Sequence, residues 1–233
     1  MMLLPHIRKI TLRALLLVLG VLAPLTAQSQ QKASYIELKA RFDSLWEAGR
    51  GYESLLDDAK AMVAPGTSDP YKLFLLARIY DKSAVESTWG NVLDPRFNAL
   101  NDSAIHYFKE VAKLDPHFYD DRYQFHTVQF LSHCYGIAMF QALRERNDAL
   151  LKDLISRANE DRAFPKALLA YGRALLENCD PNAILFVAGD DDTFPLLYLQ
   201  HANGVRKDVT LINTSLLSLP WYSKMVKEGR AGR

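Results

Sequence analysis

Cysteine is scarce in this 233-residue sequence, and the short motifs of several common enzyme classes are missing. No G-x-S-x-G, C-x-x-C or H-E-x-x-H motif occurs, so serine-hydrolase, thioredoxin-like and zincin mechanisms have no support. The two cysteines, Cys134 and Cys179, could pair in an oxidising compartment. Cys134 lies on an apolar helical face, however, which favours a buried free thiol.

An excess of either charge is also lacking, since 28 Lys and Arg residues face 27 Asp and Glu residues. Residues 1–27 contain three basic residues and no acidic one, so their removal lowers the formal net charge from +1 to −2. This balance gives no indication of nucleic-acid binding, and we expect no nucleic-acid partner. The remaining chain of about 200 residues can bury one good core or two small ones.

The apolar run Ala14–Leu25 is too short for a comfortable transmembrane span. Basic residues precede it, and small and polar residues follow at Thr26–Ser29, which is typical of a secretory signal peptide. We therefore predict a signal peptide over residues 1–27, with cleavage after Ala27 and a secreted or periplasmic product. No cysteine follows the run, so a lipoprotein anchor is not indicated. The alternative is an uncleaved signal anchor as the attachment to the membrane.

Residues 34–178 show helical periodicity, and part of the pattern is typical of tetratricopeptide-like hairpins. The first hairpin is indicated by Leu73, Leu76, Ala77 and Tyr80, followed by Ala104, Phe108 and Pro116, with an insertion over about Asp81 to Asn101. A second begins near Leu131 and Tyr135, and a third half-match includes Tyr171 and Gly172. A plain helical bundle would give much of the same pattern.

Residues 182–226 predict a β-α-β module, half of a Rossmann-like fold. Ala183–Ala188 is a short apolar run typical of a strand that is buried on both faces, and Asp208–Asn213 is a second strand. Between them, we expect a helix that begins near Thr193 and ends at Gly204. The crossover makes the strands parallel. The fold class is therefore mainly α with a small α/β part.

Three aspartates, Asp190 to Asp192, lie where the first strand meets the helix, a place where binding sites collect in open α/β sheets. Their charge disfavours a bare phosphate. In one interpretation, Asp190 and Asp192 hold a divalent cation or sugar hydroxyls. In the other interpretation, Asp192 and Thr193 cap the helix, Asp190 accepts hydrogen bonds from backbone amides in the turn, and Asp191 is solvated.

The sequence around this corner resembles a known family. The blocks G-D-D-D-T-F-P-L-L-Y-L-Q, G-V-R-K-D-V and N-T-S-L-L, with the pair Trp221 and Tyr222, are similar to the soluble C-terminal segment of bacterial membrane glycosyltransferases related to protein O-mannosyltransferases (glycosyltransferase family 117). The resemblance covers about Asn182 to Met225. Asp191 replaces the family's usual Asn, and Leu197 its Trp. The family's catalytic machinery lies in its transmembrane part, so the resemblance implies a shared extracytoplasmic module without carrying over transferase activity.

Two other groups are candidates. His126 and His133 lie seven residues apart, too far for easy binding of one metal, so we expect satisfied or exposed histidines. Aromatic residues including Phe118 and Phe125 flank Asp120 and Arg122, a composition that suits either a sugar- or peptide-binding groove or simple helix packing.

The sequence thus favours a secreted or periplasmic helical-repeat module that binds a protein or glycan partner. The alternative is part of a glycosyltransferase or glycan-processing enzyme with an Asp-rich metal or sugar site. The candidate binding residues are Asp190, Asp191, Asp192, Thr193, Trp221 and Tyr222, with Asp190 and Asp192 as ligands if a divalent cation binds.

Overall fold

The computed structural model describes residues 35–63, 66–122 and 124–231, and these are mostly helical. The predicted signal peptide, residues 1–27, lies outside the described residues. Within those ranges, no helix combines the length and the apolar character that crossing a bilayer requires. The predicted fold class, mainly α with a small α/β part, is confirmed.

Helices make up most of the described residues before residue 180. They are α1 (Tyr35–Ala48), α2 (Leu56–Met62), α3 (Pro70–Ser87), α4 (Phe97–Leu114), α5 (Thr127–Arg144), α6 (Asp148–Glu160) and α7 (Lys166–Glu177), with a 3-10 turn at Tyr52–Leu55. Two-residue strands β1 (Tyr119–Asp120) and β2 (Phe125–His126) pair antiparallel before α5. Neighbouring helices pack in succession: α3 on α4, α4 on α5 and α5 on α6.

Local sequence explains how the first long hairpin forms. The Asp69 side chain accepts hydrogen bonds from the amides of Tyr71 and Lys72, and Pro70 occupies the first helical position, where no amide donor is needed. The predicted apolar positions then face inward, since Leu76, Ala77, Ala104 and Phe108 are all fully buried. The small alanines let the two backbones approach, and the phenylalanine fills the space between them.

The predicted insertion over Asp81 to Asn101 is wrong in extent. Helix α3 continues to Ser87 and α4 already begins at Phe97, so the connection comprises only residues 88–96. No helix breaker occurs between Asp81 and Ser87, and the buried Asp81 is accommodated in the helix because Arg78, one turn earlier, pairs with it.

The C-terminal part is the predicted β-α-β unit. It consists of β3 (Ile184–Val187), α8 (Asp190–Asn203) and β4 (Thr210–Asn213), followed by a 3-10 turn (Thr214–Leu216) and α9 (Pro220–Lys227). The strands are parallel, with Ile184 opposite Thr210 and Val187 opposite Asn213. Gly204 has a left-handed backbone (φ 69°), which is the predicted helix end.

The prediction that β3 is buried on both faces is wrong. Val187 packs with Leu196 of α8 and Leu211 of β4 on the inner face. On the outer face, Ile184 is 59% and Phe186 is 62% exposed. Apolar composition alone cannot tell how many layers cover a strand, and here helices cover only one face.

The two parts of the chain share a core at the contact between α5 and α8. Gly136 in α5 lies so close to α8 that an added Cβ would be 2.0 Å from Cγ of Phe194. Phe194 also contacts the ring of Phe140, which in turn contacts Tyr222 of α9. Because glycine has no side chain, Gly136 allows α8 to pack closely against α5.

Candidate functional site

The candidate site begins where β3 ends. Gly189 has φ 79°, a conformation that favours glycine, and it lets the chain turn directly into α8. Asp190, Asp191 and Asp192 then occupy the first turn of α8, where carboxylates interact favourably with the helix dipole. All three residues are exposed.

The predicted capping by Asp192 and Thr193 is wrong. Helix α8 starts at Asp190, three residues before the predicted start, and no side chain caps it. The Thr193 hydroxyl, which is buried, donates to the carbonyl of Gly189 at 2.6 Å and accepts from Nδ2 of Asn213 at 2.9 Å. Thr193 therefore links the start of α8 to the end of β4 through hydrogen bonds.

Asp190 forms its strongest contact with a residue far away in sequence. Its Oδ2 lies 2.6 Å from Nδ1 of His133 in α5. The other ring nitrogen of His133, Nε2, lies 3.1 Å from Oδ1 of Asp81 in α3. One imidazole ring thus lies between two carboxylates from two other helices. The prediction of satisfied or exposed histidines holds for His126, which is exposed, and only in part for His133: its Nδ1 is hydrogen-bonded to Asp190, whereas the buried Nε2 contacts Asp81 at ion-pair distance without hydrogen-bond geometry.

Asp81 is the inner member of this arrangement. It is 1% exposed, and Nη1 of Arg78 lies 2.6 Å from its Oδ2. The Arg78 guanidinium also lies 4.5 Å from the ring centroid of Phe130, a cation–π geometry. Burial alone would raise the pKa of Asp81, but the charges of His133 and Arg78 hold it well below its usual range.

These neighbours fix the charge of the site. Burial would lower the pKa of His133, but Asp81 and Asp190 overcome this effect and raise it to about 9. Although Asp190 is exposed, its carboxylate is partly shielded from water where it meets His133; this desolvation would raise its pKa, but the hydrogen bond to His133 lowers it. At neutral pH, we therefore expect an imidazolium between two carboxylates. The pKa of Asp191 is raised by partial burial and by the charges of Asp190 and Asp192.

The exposed side of Asp190 opens into a cleft of about 400 Å³. Trp46 of α1, which is 41% exposed, and Phe125 of β2, which is 39% exposed, form part of its aromatic wall. Lys82 and Gln129 also line it, and the Lys82 ammonium lies 4.5 Å from the Trp46 ring centroid. Of the aromatic and acidic group predicted around Phe118, Phe125 reaches this cleft, whereas Phe118 is buried against Phe74.

Trp221 and Tyr222, the remaining candidate binding residues, lie in the core. Trp221 is 6% exposed, and the Arg144 guanidinium lies 4.5 Å from its ring centroid. Tyr222 is fully buried, and its hydroxyl accepts a hydrogen bond of 2.8 Å from the backbone N–H of Asn213. Trp221 does line a smaller cavity of about 160 Å³, which His133 and Asp190 also border. That cavity lies on another side of the same ion pair.

The structure brings no metal cluster together in the part of the chain that it describes, since no three His, Cys, Asp or Glu side chains there are arranged to hold an ion. Asp190 is paired with His133, and Asp192 lines the same cleft. A divalent cation at these two aspartates stays a prediction.

Sequence reasoning missed several residues of this site: Trp46, Arg78, Asp81 and Lys82. One signal was present, because Arg78 and Asp81 are an i, i+3 pair inside an otherwise apolar helical stretch. A charged pair in such a stretch indicates a buried ion pair. Nothing in the sequence indicated its third member, His133, since this residue is more than 50 positions away.

Comparison with known proteins supports part of the family resemblance of the C-terminal segment, namely its link to O-mannosyltransferase-like proteins. A family model described as TMEM260-associated domain 2, a family linked to O-mannosyltransferase-like proteins, matches residues 168–230. The match begins in α7, ends after α9 and contains the three aspartates at the start of α8. Searches of curated proteins and of solved structures gave no match. The C-terminal part is therefore similar to this family, and the match does not reach Asp81 or His133.

Proposed function

We propose that the chain is a non-enzymatic binding module of the cell envelope that holds a glycan, alone or on a protein partner, in the cleft beside Asp190. It would be secreted or periplasmic, with tetratricopeptide-like helical hairpins joined to an extracytoplasmic segment of the glycosyltransferase family 117 type. The match of residues 168–230 to a family linked to O-mannosyltransferase-like proteins supports this assignment.

The observation that carries the proposal is the composition of the cleft. Sugar rings have apolar C–H faces and polar edges, so they suit sites that combine aromatic surface with fixed hydrogen-bonding groups. Trp46 and Phe125 supply exposed aromatic surface, and Asp190 supplies a carboxylate whose position is fixed by His133. The amide of Gln129 adds a further donor and acceptor.

The electrostatics of the site favour binding over acid–base chemistry. A general acid or base works best when its pKa is near the operating pH. The pKa of Asp190 is lowered, so this group stays an acceptor, and both nitrogens of His133 face carboxylates. A carboxylate that stays ionised at neutral pH is well suited to accept hydrogen bonds from sugar hydroxyls.

A printed glycan array probed with the full secreted chain tests the proposal, followed by calorimetry with the oligosaccharide that is retained best. We expect Trp46→Ala and Asp190→Asn each to weaken binding by about tenfold or more. Tyr171→Ala, an exposed aromatic outside the cleft, and Asp153→Asn serve as matched controls. The absence of retained glycans, or equal affinities for wild type and both cleft variants, would contradict the proposal.

A second candidate is a glycan-processing or glycosyltransferase-linked activity. One observation favours it: adjacent carboxyl groups have pKa values shifted in opposite directions, raised for Asp191 and lowered for Asp190, as in acid–base pairs. Calorimetric titration with divalent metals and sugar nucleotides separates this candidate from the first. The double variant Asp190→Ala with Asp192→Ala should then lose all binding, and an unchanged titration would remove the enzyme candidate.

A further inference from the structure

A second concave surface lies away from the Asp190 cleft, between the end of α6, the start of α7 and one face of α8. It encloses about 620 Å³, a size typical of small-molecule sites. Phe164, Pro165 and Leu169 give it an apolar wall. We call it the Tyr198 groove, after the α8 residue that lines it.

The charge in this groove has one sign. Arg162 and Lys166 line it, both are exposed, and neither forms an ion pair with any carboxylate in the described part of the chain. No acidic side chain lines the groove. The neighbouring Asp161 is engaged elsewhere, because it accepts a 2.5 Å hydrogen bond from Tyr135 and pairs with Lys109.

Both cations occupy positions where the fold would favour another residue. Arg162 has φ 51°, the left-handed conformation in which glycine ends a helix most easily, and the following amide, of Ala163, bonds back to Ala158. Lys166 is the first residue of α7, where a positive charge opposes the helix dipole. Arg146 and Arg206 have the same left-handed backbone outside the groove, so the conformation of Arg162 does not by itself indicate a ligand. The charge of Lys166 is unfavourable at the start of α7, and an anion bound between the two cations would offset it.

Neutral donors point to the same kind of ligand. Tyr198 is 7% exposed, and its hydroxyl lies 3.5 Å from Oδ1 of Asn159, beyond the usual length of about 2.7 Å for such a bond. Burial raises the pKa of Tyr198, so its hydroxyl keeps its proton. No side chain caps α7, whose first-turn amides therefore lack a side-chain acceptor at this end of the groove.

We propose that the Tyr198 groove binds a phosphate monoester carried on an apolar group. A phosphate offers three acceptor oxygens and close to two negative charges, which matches Arg162, Lys166 and the Tyr198 hydroxyl. The apolar substituent lies against Phe164 and Leu169. This site is independent of the glycan cleft, because none of its lining residues is shared with that cleft.

Titration of the full secreted chain with phenyl phosphate, followed by calorimetry and NMR, tests the site. We expect saturable binding, weaker binding of inorganic phosphate and none of benzyl alcohol, because the charged and apolar parts contribute together. Vesicles of phosphatidylcholine with and without phosphatidic acid show whether a lipid can supply the phosphate. Equal binding of phenyl phosphate and benzyl alcohol would overturn the proposal.

Arg162→Gly gives the sharpest variant, because glycine suits the left-handed backbone while the charge is removed. We expect it to weaken phenyl phosphate binding by about tenfold or more without lowering Tm. Lys166→Gln should act in the same direction, since it also removes a charge from the unfavourable end of α7. Arg146→Gly is the matched control: Arg146 has φ 55° at the end of α5 and does not line the groove. Equal affinities of Arg162→Gly and Arg146→Gly would exclude the site.

Discussion

Nδ1 of His133 lies 2.6 Å from Oδ2 of Asp190, and this contact joins helix α5 to the first turn of α8. On its other side, the same ring lies 3.1 Å from Asp81 of α3. Three helices that are distant in sequence therefore meet at one titratable group. The protonation of His133 is linked to the docking of the β-α-β unit as well as to the charge of the cleft.

The first prediction concerns stability as a function of pH. The folded-state pKa of His133, about 9, exceeds its ordinary value of 6.5, so its stabilisation is complete below pH 6.5 and is lost as the pH rises towards 9. For Asp81 and Asp190 the pKa is lowered from 3.8, so their stabilisation is present above that value and is lost in acid. The free energy of unfolding should therefore fall by up to about 3 kcal/mol between pH 6.5 and 9.

Urea denaturation of His133→Gln at a series of pH values measures this effect. The variant should be less stable than wild type at pH 6 and should show little of the decrease between pH 6.5 and 9. His117→Gln, which replaces an exposed histidine, should follow the wild-type curve. A His133→Gln profile parallel to that of the wild type would show that the ring does not carry the linkage.

The β-α-β unit and its three aspartates could be predicted from sequence, whereas the residues that surround Asp190 could not, and the reason is physical. Strand β3, helix α8 and the end at Gly204 follow from local periodicity and turn chemistry within about 30 residues. The pairing of His133 with Asp190 depends on how α5 packs against α8, and packing is set by shape complementarity over the whole contact. The exposure of Ile184 and Phe186 likewise depends on which elements cover the sheet.

The second prediction concerns that packing. Gly136→Ala would place a Cβ 2.0 Å from Cγ and 2.6 Å from Cβ of Phe194, and rotation of the Phe194 side chain cannot move its own Cβ away. We expect the variant to lose about 2–4 kcal/mol of unfolding free energy despite the better helix propensity of alanine. Gly172→Ala is the matched helical control, because the closest contacts of its Cβ would be the flexible ends of Leu196 and Leu199 at 3.1 and 3.3 Å, and Cβ of Pro195 would lie at an ordinary contact distance of 3.7 Å.

Gly172→Ala should stay within about 1 kcal/mol of wild type in the same urea titrations. The contact of His133 with Asp190 should also weaken in Gly136→Ala, since α8 must move away from α5. Equal stabilities of the two alanine variants would mean that α5 and α8 do not approach as closely as the structure shows.

The third prediction concerns the cysteines, which are both free thiols. Cys134 is fully buried, and its pKa is raised well above the ordinary value by burial and by the charge of Asp81. Cys179 is half-buried, and its Sγ contacts the carbonyl of Leu175 at 3.3 Å. Because the thiolate is the reactive form, iodoacetamide should label Cys179 at least about 100-fold faster than Cys134 in the folded protein.

Peptide mass spectrometry of the labelled protein measures the two rates separately. In concentrated urea, the rates should become similar, which controls for differences between the labelled peptides. Recovery of a peptide in which the two cysteines are cross-linked, or fast labelling of Cys134 under native conditions, would contradict the observed burial.

The last prediction concerns Arg144, whose guanidinium is buried beside Trp221. It donates hydrogen bonds of 3.1 and 2.7 Å to the carbonyls of Thr88 and Gly90, and thereby holds the connection between α3 and α4. Arg144→Met keeps much of the volume but leaves these carbonyls without their charged donor, so we expect a loss of about 2–3 kcal/mol in urea denaturation. Arg173→Met, which removes only an exposed ion pair with Glu177, should cost less than about 0.5 kcal/mol. If the two methionine variants are equally stable, the guanidinium does not hold the connection in solution.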